Sequence, residues 1–65
     1  MARILIIDDE AAIRDNLAQL LRLEGHETHQ AADGIAGLDA ARRLRPDVVF
    51  CDILMPGIDG YGVLA

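Results

Sequence analysis

The run Val48-Val49-Phe50-Cys51-Asp52-Ile53-Leu54-Met55-Pro56-Gly57 decides how this chain folds. β-Branched and aromatic residues end abruptly in a carboxylate, and a Pro-Gly turn follows. An apolar run of this length, bounded by a turn signal, predicts a strand buried on both faces. Asp52 then sits where the strand leaves the core, and a charge there is costly to desolvate unless something pairs with it. A second apolar run, Ile4-Leu5-Ile6-Ile7, also ends in acids, Asp8 and Asp9. Two buried strands whose C-terminal ends both carry carboxylates suggest one acidic pocket that takes a cation.

Working outward, the chain alternates. Arg3 to Ile7 predicts a central strand, and Asp8-Asp9-Glu10 supplies acids suited to a helix N-terminus. Ile13, Leu17, Leu20 and Leu21 then form one stripe, with Arg14, Asp15, Gln19 and Arg22 off it. This predicts an amphipathic helix closing near Glu24, with Gly25 just past its end. His26 to Ala31 is a polar strand suited to a sheet edge. Asp33 is a candidate cap for a second helix, in which Ile35, Leu38, Ala41 and Leu44 recur at steps of three and hold no single face. Arg45-Pro46-Asp47 ends that helix, because the residue before proline is pushed out of helical conformation. After the Val48 run, Met55 to Asp59 is a loop and Asp59-Gly60 opens a third helix.

Strands and helices alternating through short loops imply right-handed βαβ units and a parallel sheet. With the polar second strand at the edge, the strand order is 2-1-3. The crevice between strands one and three is then the topological switch point, where ligands bind beyond the carboxyl ends.

Composition narrows the options. The chain has 65 residues and a formal net charge of −5, enough for one small domain. At this size only about 60% of the unfolded surface can be buried, so a metal or a partner is expected to help. The single cysteine, Cys51, allows no internal disulfide and suits a reducing cytoplasm. The acidic balance argues against nucleic-acid or anionic-membrane binding by this segment. No apolar run approaches the roughly 20 residues of a membrane span. Two absences matter later: all six basic residues are arginine, and there is no serine, Thr28 being the single aliphatic hydroxyl.

Three carboxylates within about 5 Å repel by roughly 3 kcal/mol per pair at an effective dielectric near 20. A hard dication relieves that repulsion, and Mg²⁺ takes one or two carboxylates with waters and a carbonyl oxygen. The expected ligands are Asp8 or Asp9 with Asp52, plus the backbone carbonyl of Leu54. Helix capping alone is the plainer reading of Asp8-Asp9, and Asp52 at the adjacent strand end counts against it.

The ordered set Asp8-Asp9, Pro46-Asp47-Val48-Val49, Asp52-Ile53-Leu54-Met55-Pro56 and Asp59-Gly60 resembles the receiver domain of two-component response regulators. The resemblance runs along the whole chain and covers about the first half of such a domain. It implies a truncated flavodoxin-like, CheY-like α/β/α fold over residues 1–65. It further implies that Asp52 accepts a phosphoryl group from a sensor histidine kinase, with Asp8 and Asp9 positioning Mg²⁺ beside it. Such a module is a phosphoacceptor in a phosphorelay and not an enzyme in the usual sense. A haloacid-dehalogenase-like hydrolase also places an acid after a buried strand. That family uses a D-x-D pattern, which Asp52-Ile53-Leu54 lacks.

A complete receiver also brings a Ser or Thr and a Lys to the phosphoryl group, from strands that this chain does not supply. Weak Mg²⁺ binding and slow or absent phosphorylation are therefore expected. The third strand's outer edge and the first helix's apolar face are left uncovered, which predicts a homodimer completing a larger sheet. The alternative function is thus a phosphorylation-incompetent fragment that self-associates. Cys51 is expected to be a small packing residue, His26 and His29 surface residues, and Arg42, Arg43 and Arg45 a solvated helix end. Tyr61 and Met55 are expected to pack beside the acidic pocket.

Overall fold

The computed structural model describes residues 1–51. The expectations placed on Asp52, Leu54, Met55, Tyr61 and the third helix lie outside those residues. Five elements follow one another: β1 (Arg3–Ile7), α1 (Ala11–Leu23), β2 (Glu27–Ala31), α2 (Gly34–Leu44) and β3 (Val48–Cys51). The sheet is parallel with order β2-β1-β3, as the sequence predicts. The register sets Ile7 opposite Ala31 on one side and Cys51 on the other. All three strands therefore finish at the same rim.

β1 is central because its side chains are apolar on both faces. Ile4 and Ile6 meet Ala18 with Leu17 and Leu21 on the α1 side, while Leu5 and Ile7 meet Ala31 and Ala40 on the α2 side. Ile4, Leu5, Ile6 and Ile7 are all buried, and each full burial is worth roughly 1.5–3 kcal/mol. β2 carries mostly polar residues and lies at the edge, as expected.

The ends of α1 follow the local rules. Gly25 takes a left-handed conformation at φ 89°. Its N–H donates to the Arg22 carbonyl at 2.9 Å, and the His26 N–H donates to the Leu21 carbonyl at 3.1 Å. That pair of bonds is a Schellman closure, which glycine permits without strain. Asp33 caps α2, its Oδ1 accepting the Ala36 N–H at 2.7 Å.

The buried face of α2, left open by steps of three, is made of small residues: Gly34, Gly37 and Ala40. A Cβ on Gly37 would come within 2.9 Å of Ile7 Cγ1, so the helix docks on β1 only because that atom is missing. Ile35, counted in the apolar series, is 79% exposed.

Two expectations need correction. The predicted α1 stripe is misplaced, since Ile13 and Leu20 are exposed while Ala18 is fully buried. The contact stripe runs through Arg14, Leu17, Ala18 and Leu21. The Val48 run is not buried on both faces within β3: Val48 and Phe50 are 41% and 42% exposed. The reason is placement: among the described residues α1 packs over β1 and β2, and no element covers the β3 side of that face. Val49 and Cys51, on the other face, pack against the α2-side core, so Cys51 is the packing residue expected. Among the described residues no helix is long and apolar enough to cross a membrane.

Candidate functional site

The rim at the C-terminal end of β1 carries Asp8 and Asp9. The Asp8 N–H donates to the Ala31 carbonyl at 3.2 Å, adding one rung to the β1–β2 pairing. Asp8 Oδ1 accepts the Glu10 N–H at 2.9 Å, a local turn that starts α1. The Asp8 carbonyl accepts a bond from Arg14 Nη1 at 2.7 Å. Asp8 is half-buried, and Oδ2 has no bonding partner among the described residues. Asp9 is exposed and has none either. Neither acid caps the first-turn amides of α1, whose N-cap residue, Glu10, makes no side-chain cap bond. Asp8 thus serves the start of α1 through one oxygen, and capping leaves Asp8 Oδ2 and both Asp9 oxygens unaccounted for.

Two carboxylates are thus held on a fixed turn with oxygens to spare. Hard anionic oxygens are the donors that Mg²⁺ takes, so the turn fits part of such a site. The described residues contain no group of three or more His, Cys, Asp or Glu side chains placed to hold a metal ion. The other ligands expected from the sequence, Asp52 and the Leu54 carbonyl, lie outside the described residues. Beside the turn, an open depression of about 300 Å³ runs between α1 and β3, lined by Ile6, Ile13, Leu17 and Phe50 with Asp8 at its margin.

At the opposite rim Arg3, Glu27 and Asp47 are engaged with one another. Arg3 donates through Nε to Glu27 Oε2 at 2.6 Å and through Nη1 to the Leu44 carbonyl at 2.7 Å. The Arg3 N–H donates to Asp47 Oδ2 at 2.7 Å, and the Asp47 N–H returns a bond to the Arg3 carbonyl at 2.7 Å. His29 Nε2 lies 2.8 Å from the same Glu27 oxygen. These contacts, His29 first and Arg3 second, hold the Glu27 carboxyl below its ordinary value of 4.5. His26 is occupied too, its Nδ1 accepting the Ala2 N–H at 3.0 Å.

Arg14 is the residue that pattern reading passed over. Counted as a solvated position, it is half-buried and bonded to Asp8 and, through Nε, to Gln30 Oε1 at 3.2 Å. A signal was available in the spacing Arg14-Ala18, since a small residue one turn on marks the line of closest approach to the sheet.

A parallel sheet in 2-1-3 order with acids at its carboxyl rim is receiver architecture. Residues 4–65 match the response regulator receiver domain family, and the chain belongs to that family. Among particular relatives, it is 44% identical over 62 residues to sporulation initiation phosphotransferase F of Bacillus subtilis, covering 95% of this chain and 50% of that protein. It is 44% identical over 63 residues to the DNA-binding dual master transcriptional regulator RpaA of Synechocystis, covering 97% of this chain and 26% of that protein. The crystal structure of a response regulator receiver domain protein from Clostridium thermocellum superposes with a TM-score of 0.90 at 36% identity, over 98% of this chain and 52% of that one. The chain spans about half or less of each protein's length and corresponds to the N-terminal part of a receiver.

Proposed function

We propose that residues 1–65 are a partial receiver domain in which Asp52 is the phosphoacceptor of a two-component phosphorelay. The donor is the phosphohistidine of a sensor histidine kinase, and the setting is cytoplasmic. The observation that carries this reading is the register of Ile7 opposite Cys51 in a chain of this family. That register supports a shared rim for the acids that follow the two strands in sequence, Asp8-Asp9 and Asp52.

In the reaction, an ionised Asp52 carboxylate oxygen attacks phosphorus, the O–P bond forms, and the donor's N–P bond breaks with the imidazole leaving. Asp8 and Asp9, with Asp52 and the Leu54 carbonyl, are the residues that would hold Mg²⁺. When bound, the ion offsets charge on the transferring phosphoryl group. The turn at Asp8 keeps its own acids from rearranging, because Oδ1, N–H and carbonyl are already committed. With neither serine nor lysine in this stretch, the 65 residues alone accept a phosphoryl group slowly or not at all.

The test is incubation with Mg²⁺ and acetyl phosphate, followed by intact mass. Slow, acid-labile modification that Asp52→Asn abolishes is the expected result. Rapid stoichiometric labelling would overturn the impairment, and labelling that survives in Asp52→Asn would overturn the assignment.

A second reading concerns self-association. Val48 and Phe50 are exposed beside the apolar depression, and the outer edge of β3 has no strand partner among the described residues. Edge pairing or exchange of elements between two copies would cover both. Sedimentation at micromolar concentration should then show a homodimer, and a compact monomer that unfolds cooperatively would remove this reading.

A further inference from the structure

We infer that Arg14 is a positioning residue for the acidic turn, a role that rests on reading Asp8 and Asp9 as metal ligands. Two guanidinium bonds and one backbone bond of Arg14 join three pieces of chain that meet at the rim. Nη1 donates to the Asp8 carbonyl at 2.7 Å, Nε donates to Gln30 Oε1 on β2 at 3.2 Å, and the Arg14 N–H donates to the Glu10 carbonyl at 3.1 Å as the first helical bond of α1. The residue is half-buried, and the bond to the Asp8 carbonyl is the more sheltered of the two guanidinium contacts.

The Asp8 carbonyl is the point where β1 ends and the turn begins. Fixing it fixes the peptide plane between Asp8 and Asp9, and with it the directions in which both carboxylates leave the backbone. Arg14 therefore stands to the acids as an outer-shell partner stands to metal ligands. Such partners commonly change metal affinity by about 10–100-fold when removed.

The sign of the effect separates positioning from charge. A guanidinium near the rim repels a dication, so deleting it should tighten Mg²⁺ binding if charge were all that mattered. Positioning predicts the reverse. Gln30 gives the same test with no change of charge, and it is exposed, so its removal leaves the fold in place.

The experiment is calorimetric titration of the chain with MgCl₂, with circular dichroism to verify the fold of each variant. Arg14→Ala should bind Mg²⁺ on the order of tenfold more weakly, Gln30→Ala about twofold more weakly, and Arg14→Lys should fall between parent and Arg14→Ala because one donor can still reach the Asp8 carbonyl. Should Arg14→Ala unfold, Gln30→Ala and Arg14→Lys decide the question. A parent that binds Mg²⁺ while these variants bind equally or more tightly overturns the role of Arg14 and leaves the metal site standing. A parent that binds no Mg²⁺ at millimolar concentration, with the fold intact, overturns the metal site and the role of Arg14 with it.

Discussion

At the N-terminal end of the sheet, Glu27 and Asp47 are both bonded to Arg3, and Arg3 also closes the last turn of α2 through the Leu44 carbonyl. At the C-terminal end, Asp9 has no partner among the described residues and Asp8 commits one carboxylate oxygen to a turn. The same residue types are used in opposite ways about 15–20 Å apart, the length of a five-residue strand. Acids at one end neutralise and fasten, while acids at the other are held open at some cost in repulsion. Sites kept for binding are commonly less stable than the fold could make them. The contrast predicts that charge removal will separate cleanly into loss of stability at one rim and loss of binding at the other.

The largest effect should come from the open rim. Asp8→Asn keeps an oxygen that can accept the Glu10 N–H, and Asp9→Asn removes a charge with no bonded partner. Each should weaken Mg²⁺ binding by tenfold or more, with stability changed by no more than about 0.5 kcal/mol or raised. Titration calorimetry beside urea denaturation checks both parts. A large loss of stability in Asp9→Asn would break the contrast.

Arg3→Ala is the matching change at the fastened rim. It removes the bonds to Glu27 and to the Leu44 carbonyl but keeps the backbone exchange with Asp47. Both contacts are solvent-exposed, so a modest loss of stability is expected, with Mg²⁺ affinity unchanged. An affinity loss without a stability loss would show that the two ends are coupled through β1.

That division explains which parts of the molecule were legible in the sequence. β1 was, because four consecutive aliphatics admit no exposed face, and so was the edge position of β2, because Thr28, His29 and Gln30 cannot be buried cheaply. The end of α1 was marked by Gly25. The docking face of α2 was not, since it depends on absent side chains at Gly34 and Gly37, and a hydrophobicity pattern counts what is present. The rotation of α1 was misjudged for a related reason: Ala18 makes the closest approach and looks unremarkable beside Ile13 and Leu20. At the site, the Asp8-Asp9 pair was visible, whereas Arg14 was not, because an arginine's reach to a backbone carbonyl follows from tertiary placement.

A smaller adjustment to the fastened rim is available at Arg45. It ends α2 in the left-handed region at φ 49°, a conformation that costs a non-glycine residue about 1–2 kcal/mol. Arg45→Gly relieves that cost and gives part of it back as unfolded-chain entropy, so a gain of about 0.5 kcal/mol in urea denaturation is expected. A loss would mean that the Arg45 side chain contributes to holding this rim.

The smallest effect is the pH dependence carried by Glu27. Its folded carboxyl lies below 4.5, first through His29 and then through Arg3. A carboxylate with a depressed folded value adds stability that is fully present above the unfolded value and lost as the pH falls through the folded one. Glu27→Gln should therefore be less stable than the parent near neutrality, and the two melting temperatures should converge as the pH falls below 4.5 and through the lowered folded value. Because the pair is solvent-exposed, the difference should be small and should shrink further in salt. His29→Ala should return the Glu27 carboxyl toward 4.5, which a carbon-detected NMR titration of its Cδ would read directly. A gap between parent and Glu27→Gln that stays constant from about pH 7 to pH 3 would mean that Glu27 acts through packing of its stem, and that this rim is fastened by Arg3 and Asp47 without it.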